Sequence, residues 1–191
     1  VPRYLVNLTQ YPLDQSSESP LTIKLIDFGQ AFTLDSKPET LEHPLHLTAP
    51  ELALGQEFDH RTDLWSAGCL IFQLFDGQPP FKTNGTNERY HMEEIRALLC
   101  QAIPERWQSA WEETKKRFPT YEDEVSDCDS NSDPTGTEKL SLRGFLERYS
   151  SLPLSAEDLD KLVSILDGLL TIDPENRVEA AELLEDEWWD K

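Results

Sequence analysis

Between Asp63 and Gly77 the chain carries Leu64, Trp65, Cys69, Leu70, Ile71, Phe72, Leu74 and Phe75, which as a helix would be apolar around most of its circumference. A helix without a polar face belongs in the middle of a domain, because each side of it needs a neighbour to exclude water. Asp59 is placed to cap its start, and Gly77 follows Asp76 as a stop. The apolar run from Leu64 to Phe75 falls well short of the ~20 residues that cross a bilayer, so the segment reads as a core helix and the membrane is not an expected partner. The 191 residues suit one domain or one lobe of a larger one.

The remaining elements are expected to wrap this helix. Met92 to Ala102 has helical spacing through Ile95, Leu98 and Leu99, and Pro104 sits well as the first residue of a helix carrying Trp107 and Trp111. Ser155, with Asp158 three residues on, caps the clearest amphipathic helix, whose apolar face is Leu159, Leu162, Val163, Leu166, Leu169 and Leu170. Asp173-Pro174 is expected to open a last helix running through Val178, Ala181 and Leu184 to Trp188-Trp189. Near the start, the alternation of Val1 to Leu8 and the β-branched run Leu21 to Ile26 predict a short strand pair. Residues 121–138 are acidic and nearly free of apolar side chains, so they are expected to form a disordered insert, with docking or phosphorylation as the functional alternative. The fold class is therefore mainly α.

Lys and Arg total 17 against 37 Asp and Glu, a formal net charge of −20. Such a field repels phosphate backbones and anionic lipid surfaces, so direct nucleic-acid binding is not expected. Cys69, Cys100 and Cys128 are odd in number and form no CxxC pair, which points away from a disulfide framework and toward a reducing intracellular compartment. The histidines His43, His46, His60 and His91 lack metal-ligand spacing and are expected in ordinary surface or packing roles.

Four short motifs carry the chemistry: Asp27-Phe28-Gly29 after an expected buried strand, Thr48-Ala49-Pro50-Glu51, Asp63-Leu-Trp65-Ser66-Ala-Gly68, and Asp173-Pro174-Glu-Asn-Arg177. A carboxylate at a strand end can hold a hard cation such as Mg²⁺ beside phosphates, or it can be an ordinary turn. Their order and spacing resemble the second half of a eukaryotic protein kinase domain, and from Ile23 to Trp189 the chain resembles that family's large, C-terminal lobe. The resemblance implies ATP and Mg²⁺ as cofactors, with Asp27 as metal ligand and Asp27, Phe28 and Gly29 at the nucleotide, Gly29 letting the backbone turn sharply. It implies that Arg177 holds Glu51 through a largely buried forked ion pair; otherwise the two are surface charges that never meet. It implies that Asp63 braces the catalytic loop by accepting backbone N–H bonds; otherwise Asp63 is a helix N-terminal carboxylate favoured by the dipole.

The runs Leu21 to Phe32, Asp59 to Trp65, Phe72 to Phe81 and Ile95 to Trp107 are similar to fungal kinases of the serine/arginine-protein kinase branch, which implies protein substrates rich in Arg and Ser and a cytoplasmic or nuclear setting. Thr48 departs from that branch, where Arg is frequent before Ala-Pro-Glu. In the loop from Asp27 to Glu51, Thr33, Ser36 and Thr40 are the hydroxyls before Thr48, and no basic cluster beyond Lys37 stands ready to pair with a phosphate, which is compatible with the activity without loop phosphorylation that the resemblance implies. The Gly-rich loop, the strand lysine with its helix glutamate and the His-Arg-Asp-like segment do not occur in the 191 residues. The N-terminal lobe is therefore expected to lie outside this chain, and the chain alone is not expected to transfer phosphate. A non-catalytic, pseudokinase-like module that holds basic proteins is the alternative.

Overall fold

A computed structural model describes residues 24, 26–41, 43–82, 87–120, 141–150, 153–185 and 188. Helices dominate them: α1 (Pro50–Ala53), α2 (Arg61–Asp76), α3 (Glu88–Leu99), α4 (Gln108–Arg117), α5 (Leu142–Tyr149), α6 (Ala156–Leu169) and α7 (Ala180–Leu184), joined by short 3₁₀ turns. The expected strand pair and the acidic insert lie largely outside the described residues. Lys24 and Ile26, which do lie within them, are exposed and not in a strand, so among the described residues no buried strand leads into Asp27.

Local chemistry fixes several helix ends. Asp59 Oδ1 accepts the Arg61 N–H at 2.9 Å, so this carboxylate caps α2 from one residue outside its His60 boundary. Gly77, at φ 80°, closes α2 in the left-handed conformation that a side chain disfavours. Asn87 caps α3 by accepting the Tyr90 N–H, which starts that helix four residues ahead of Met92. Ser155 accepts the Asp158 N–H at 3.0 Å and donates its hydroxyl to Asp158 Oδ2 at 2.6 Å, a reciprocal cap for α6. Helix α5 is a signal passed over in the sequence: Ser141 caps it by accepting the Gly144 N–H, and Leu142, Phe145, Leu146 and Tyr149 follow at helical spacing.

In the larger of two buried clusters among the described residues, Trp65 and Phe72 of α2 meet Phe81 of the loop before α3, Met92 and Ile95 of α3, Leu146 of α5, and Leu162 and Leu166 of α6; Leu64, Ile165 and Leu169 form the second. Helix α2 and helix α6 approach closely at Gly68, where an added Cβ would lie 2.8 Å from Leu170 Cδ2 and 3.0 Å from Leu169 Cβ. Only a hydrogen at that position lets the two backbones share the space. Trp65 and Phe81 stack with ring centroids 5.5 Å apart, which adds aromatic contact to the apolar burial at the centre.

Two expectations are corrected here. Helix α2 is not apolar to its neighbours all round: Leu70 and Leu74 are 55% and 67% exposed, on the same face as the exposed Asp63 and Ala67. The residues at 63, 67, 70 and 74 fall on one side at helical spacing, and no described element packs over that side. The last helix is also broken. Pro174–Asn176 is a single 3₁₀ turn, Arg177 and Glu179 are extended, and α7 begins at Ala180. The Val178 N–H bonds the Gly168 carbonyl at 3.1 Å, not a carbonyl one turn back, and the extended stretch turns the Arg177 side chain inward.

Candidate functional site

Asp27 and Asp63 line one cleft of about 620 Å³, together with Phe28, Phe32, His43 and Thr62. They reach it from different elements: Asp27 from the start of the loop, Asp63 from the first turn of α2. Both carboxylates are exposed to the cleft, as a ligand-binding acid has to be. Asp27 sits at φ 64°, ψ 61°, left-handed backbone that costs a non-glycine residue ~1–2 kcal/mol. Gly29 does not carry the positive φ of this turn; Asp27 does, because Gly29 belongs to the 3₁₀ turn Phe28–Gln30 that follows. Strained residues of this kind collect at functional sites, where the surrounding fold holds them. Phe28 is 68% exposed at the mouth of the cleft.

A buried ion pair fastens the loop's far end. Arg177 Nη1 and Nη2 donate to Glu51 Oε1 and Oε2, each at 2.6 Å, and the two side chains are essentially removed from solvent. The other N–H groups of the guanidinium go to carbonyls: Nε to Thr171 at 2.8 Å, Nη1 to Arg61 at 2.9 Å, and Nη2 to Ile172 at 3.5 Å. The indole of Trp65 lies 5.1 Å from the guanidinium carbon, facing the same charge. A planar fork with five donors is the one side chain that can satisfy a carboxylate and three carbonyls together. The structure thus brings Glu51 and Arg177 together across more than a hundred residues and sets Asp27 and Asp63 in one cleft, which Glu51 and Arg177 do not line.

The loop between these ends is tied down by contacts that the sequence did not announce. Lys37 Nζ donates to Glu57 Oε2 at 2.6 Å and to the Phe58 carbonyl at 2.9 Å, and lies 4.4 Å from the Phe58 ring centroid. The Lys37 ammonium holds the Glu57 carboxyl below its ordinary range. Lys37, the one Lys or Arg of the loop from Asp27 to Glu51, is therefore engaged by Glu57. Phe32 meets the Phe58 ring edge-on at 5.8 Å. His91 of α3 is fully buried, and its Nε2 lies 2.7 Å from the Thr48 carbonyl. Arg106 forks onto Asp173 at 2.6 and 2.5 Å, and that pairing holds the Asp173 carboxyl below the usual carboxylate range. None of these partners is close in sequence, so periodicity and capping carry no trace of them.

The carboxylates that line the cleft are Asp27, Asp59 and Asp63, and no group of three or more metal-ligating side chains gathers around one point among the described residues. That donor set does not make a protein cage for a metal. It does fit Mg²⁺, which keeps several waters and takes one or two carboxylates plus phosphate oxygens. No helix of the described residues is long and apolar enough to cross a membrane.

Comparison with known proteins bears on the same residues. The family described as "Protein kinase domain" matches residues 13–189. Among curated proteins, the chain is 29% identical over 162 residues to the dual specificity protein kinase lkh1 of Schizosaccharomyces pombe, covering 85% of this chain and 23% of that protein. It is 30% identical over 168 residues to the serine/threonine-protein kinase AFC3 of Arabidopsis thaliana, covering 85% and 40%. It is 27% identical over 172 residues to the dual specificity protein kinase CLK2 of Mus musculus, covering 90% and 32%. A solved crystal structure of a kinase domain superposes with a TM-score of 0.54 at 25% identity, covering 85% of this chain and 45% of that one. The chain thus spans less than half the length of each of these proteins.

Proposed function

The chain belongs to the protein kinase domain family, and from that premise we propose that it forms the metal-binding and substrate-holding side of an ATP- and Mg²⁺-dependent transfer of phosphate to serine or threonine of Arg/Ser-rich proteins. The observation that carries this reading is the cleft in which Asp27 and Asp63, from separate elements, converge.

In this reading Asp27 holds Mg²⁺, and Phe28 and Gly29 adjoin the nucleotide. The cation, when bound, neutralises charge on the phosphates during transfer. Asp63 accepts backbone N–H bonds from a catalytic loop supplied outside this chain, and so braces that loop without touching substrate. Glu51 and Arg177 lock the loop's exit to the core, and a fixed exit keeps a bound peptide in register with the cleft. The charge of −20 favours encounter with arginine-rich peptides, an attraction that screening confines to about 8 Å at physiological salt. The base that takes the hydroxyl proton is not among these residues, so the chain alone does not transfer phosphate.

Calorimetric titration tests this directly, with Mg²⁺ and ATP in one arm and an Arg/Ser-rich peptide in the other. The reading expects binding of both, and loss of the Mg²⁺-dependent part in Asp27→Asn. Peptide binding with no nucleotide binding would instead favour the non-catalytic module for basic proteins. Reading the coding sequence upstream of Val1 gives an independent check: an open frame without the strand lysine and catalytic base would overturn the catalytic parent.

A further inference from the structure

The loop that enters the Ala49–Glu51 turn is held from the side by a residue with no evident motif. His91 projects from α3 into the core with none of its surface exposed, and its ring meets Phe81 edge-on at 5.7 Å and 88°. Nε2 lies 2.7 Å from the Thr48 carbonyl, so this nitrogen carries the proton and donates it. Nδ1 is buried with no hydrogen-bond partner among the described residues, which fits an unprotonated nitrogen. The Thr48 N–H in turn donates to the Leu45 carbonyl at 3.1 Å, and the Leu47 N–H to Pro44 at 2.9 Å. A single donor from α3 therefore fixes the peptide plane at which the 3₁₀ turn Leu45–Leu47 hands over to Ala49.

The same ring belongs to a packed series that reaches the buried ion pair. Phe81 stacks on Trp65, and Trp65 faces the Arg177 guanidinium that grips Glu51. Thr48 and Glu51, on either side of Ala49-Pro50, are thus clamped by two different side chains anchored on one aromatic stack.

We propose that His91 is a positioning residue for protein substrate: through its Nε2–H it sets the backbone at Thr48, and with it the loop surface that a peptide meets. This rests on the kinase reading given above. His91 acts through Thr48 and does not itself touch the peptide. Glutamine can place an amide N–H where Nε2 stands, asparagine is too short to do so, and phenylalanine keeps the ring but has no donor.

The test measures two quantities on the full chain for His91→Gln, His91→Asn and His91→Phe. The first is hydrogen exchange at the Leu47 and Thr48 amides, with the α2 amides as an internal reference for folding. The second is affinity for an Arg/Ser-rich peptide by fluorescence anisotropy. His91→Phe and His91→Asn are expected to raise exchange at Leu47 and Thr48 about tenfold or more with the α2 amides unchanged, and to weaken peptide binding about fivefold. His91→Gln is expected to restore both. If His91→Phe loses α2 protection and so unfolds, the Gln and Asn pair decides, because the two differ in reach and not in polarity. Equal behaviour of Gln and Asn, or wild-type exchange at Leu47 and Thr48 in both donor-less variants, overturns the proposal. If the wild type binds no peptide, the substrate reading fails on that arm while the exchange arm still decides whether His91 fixes Thr48.

Discussion

Replacing Arg177 with methionine should cost this fold more than any other single side chain. The substitution keeps a chain of similar length in place and removes five N–H donors. Glu51 would be left as an isolated carboxylate in a site with no access to water, a change that costs ~3–5 kcal/mol when a buried pair is broken from one side. The carbonyls of Thr171, Arg61 and Ile172 would lose donors as well, each worth on the order of 1 kcal/mol. The expected loss is therefore about 6–8 kcal/mol, comparable with the whole stability of many domains at ~5–15 kcal/mol. For a chain of this length it lowers the melting temperature by about 10 °C or more. Urea unfolding followed by far-UV circular dichroism reads it as a shift in midpoint at unchanged slope. Glu51→Gln, which leaves Arg177 its three carbonyls, should cost less, about 3 kcal/mol. The double variant should show coupling of at least ~2 kcal/mol. A loss under ~1 kcal/mol for Arg177→Met, the range of an exposed pair, would refute the claim that this pair ties the loop to the core.

Three further expectations follow from the packing. Gly68→Ala, which on an isolated helix would stabilise by ~1 kcal/mol, should here destabilise by ~1–3 kcal/mol, because its Cβ meets Leu169 and Leu170; thermal melting checks the sign. The Cys69 thiol, pushed up to about 12 by burial, should resist iodoacetamide in the folded protein while the exposed Cys100 reacts; mass mapping before and after urea tells them apart. Burial lowers the pKa of His91, so its neutral form is favoured by folding. That contribution is complete above the ordinary value of 6.5 and is lost as pH falls below it, because the unfolded chain then binds a proton that the folded chain refuses. Stability measured from pH 7.5 to 5.5 should fall with acid, and the slope should be smaller in His91→Gln.

The sequence alone determined what is settled within a few residues of itself. Ser155 with Asp158 started α6, Gly77 ended α2, and Asp59 capped from just outside the first turn, because a cap is a bond between near neighbours. The motif order placed the chain in its family. Helix α5 was also written in local terms, in Ser141 and the spacing from Leu142 to Tyr149, and was overlooked beside the acidic run before it. Tertiary structure alone decided the contacts that give the candidate site its shape. Whether Leu70 and Leu74 are covered depends on which elements pack on α2, and hydrophobicity does not carry that information. The break at Arg177 exists because a guanidinium reaching Glu51 and an amide reaching Gly168 outweigh continuation of a helix. The left-handed turn fell on Asp27, not on the glycine two residues later, because Gly29 is taken up in the 3₁₀ turn Phe28–Gln30. His91 gained a role only when α3 brought it to Thr48, since a donor's meaning lies in the acceptor that folding sets opposite it.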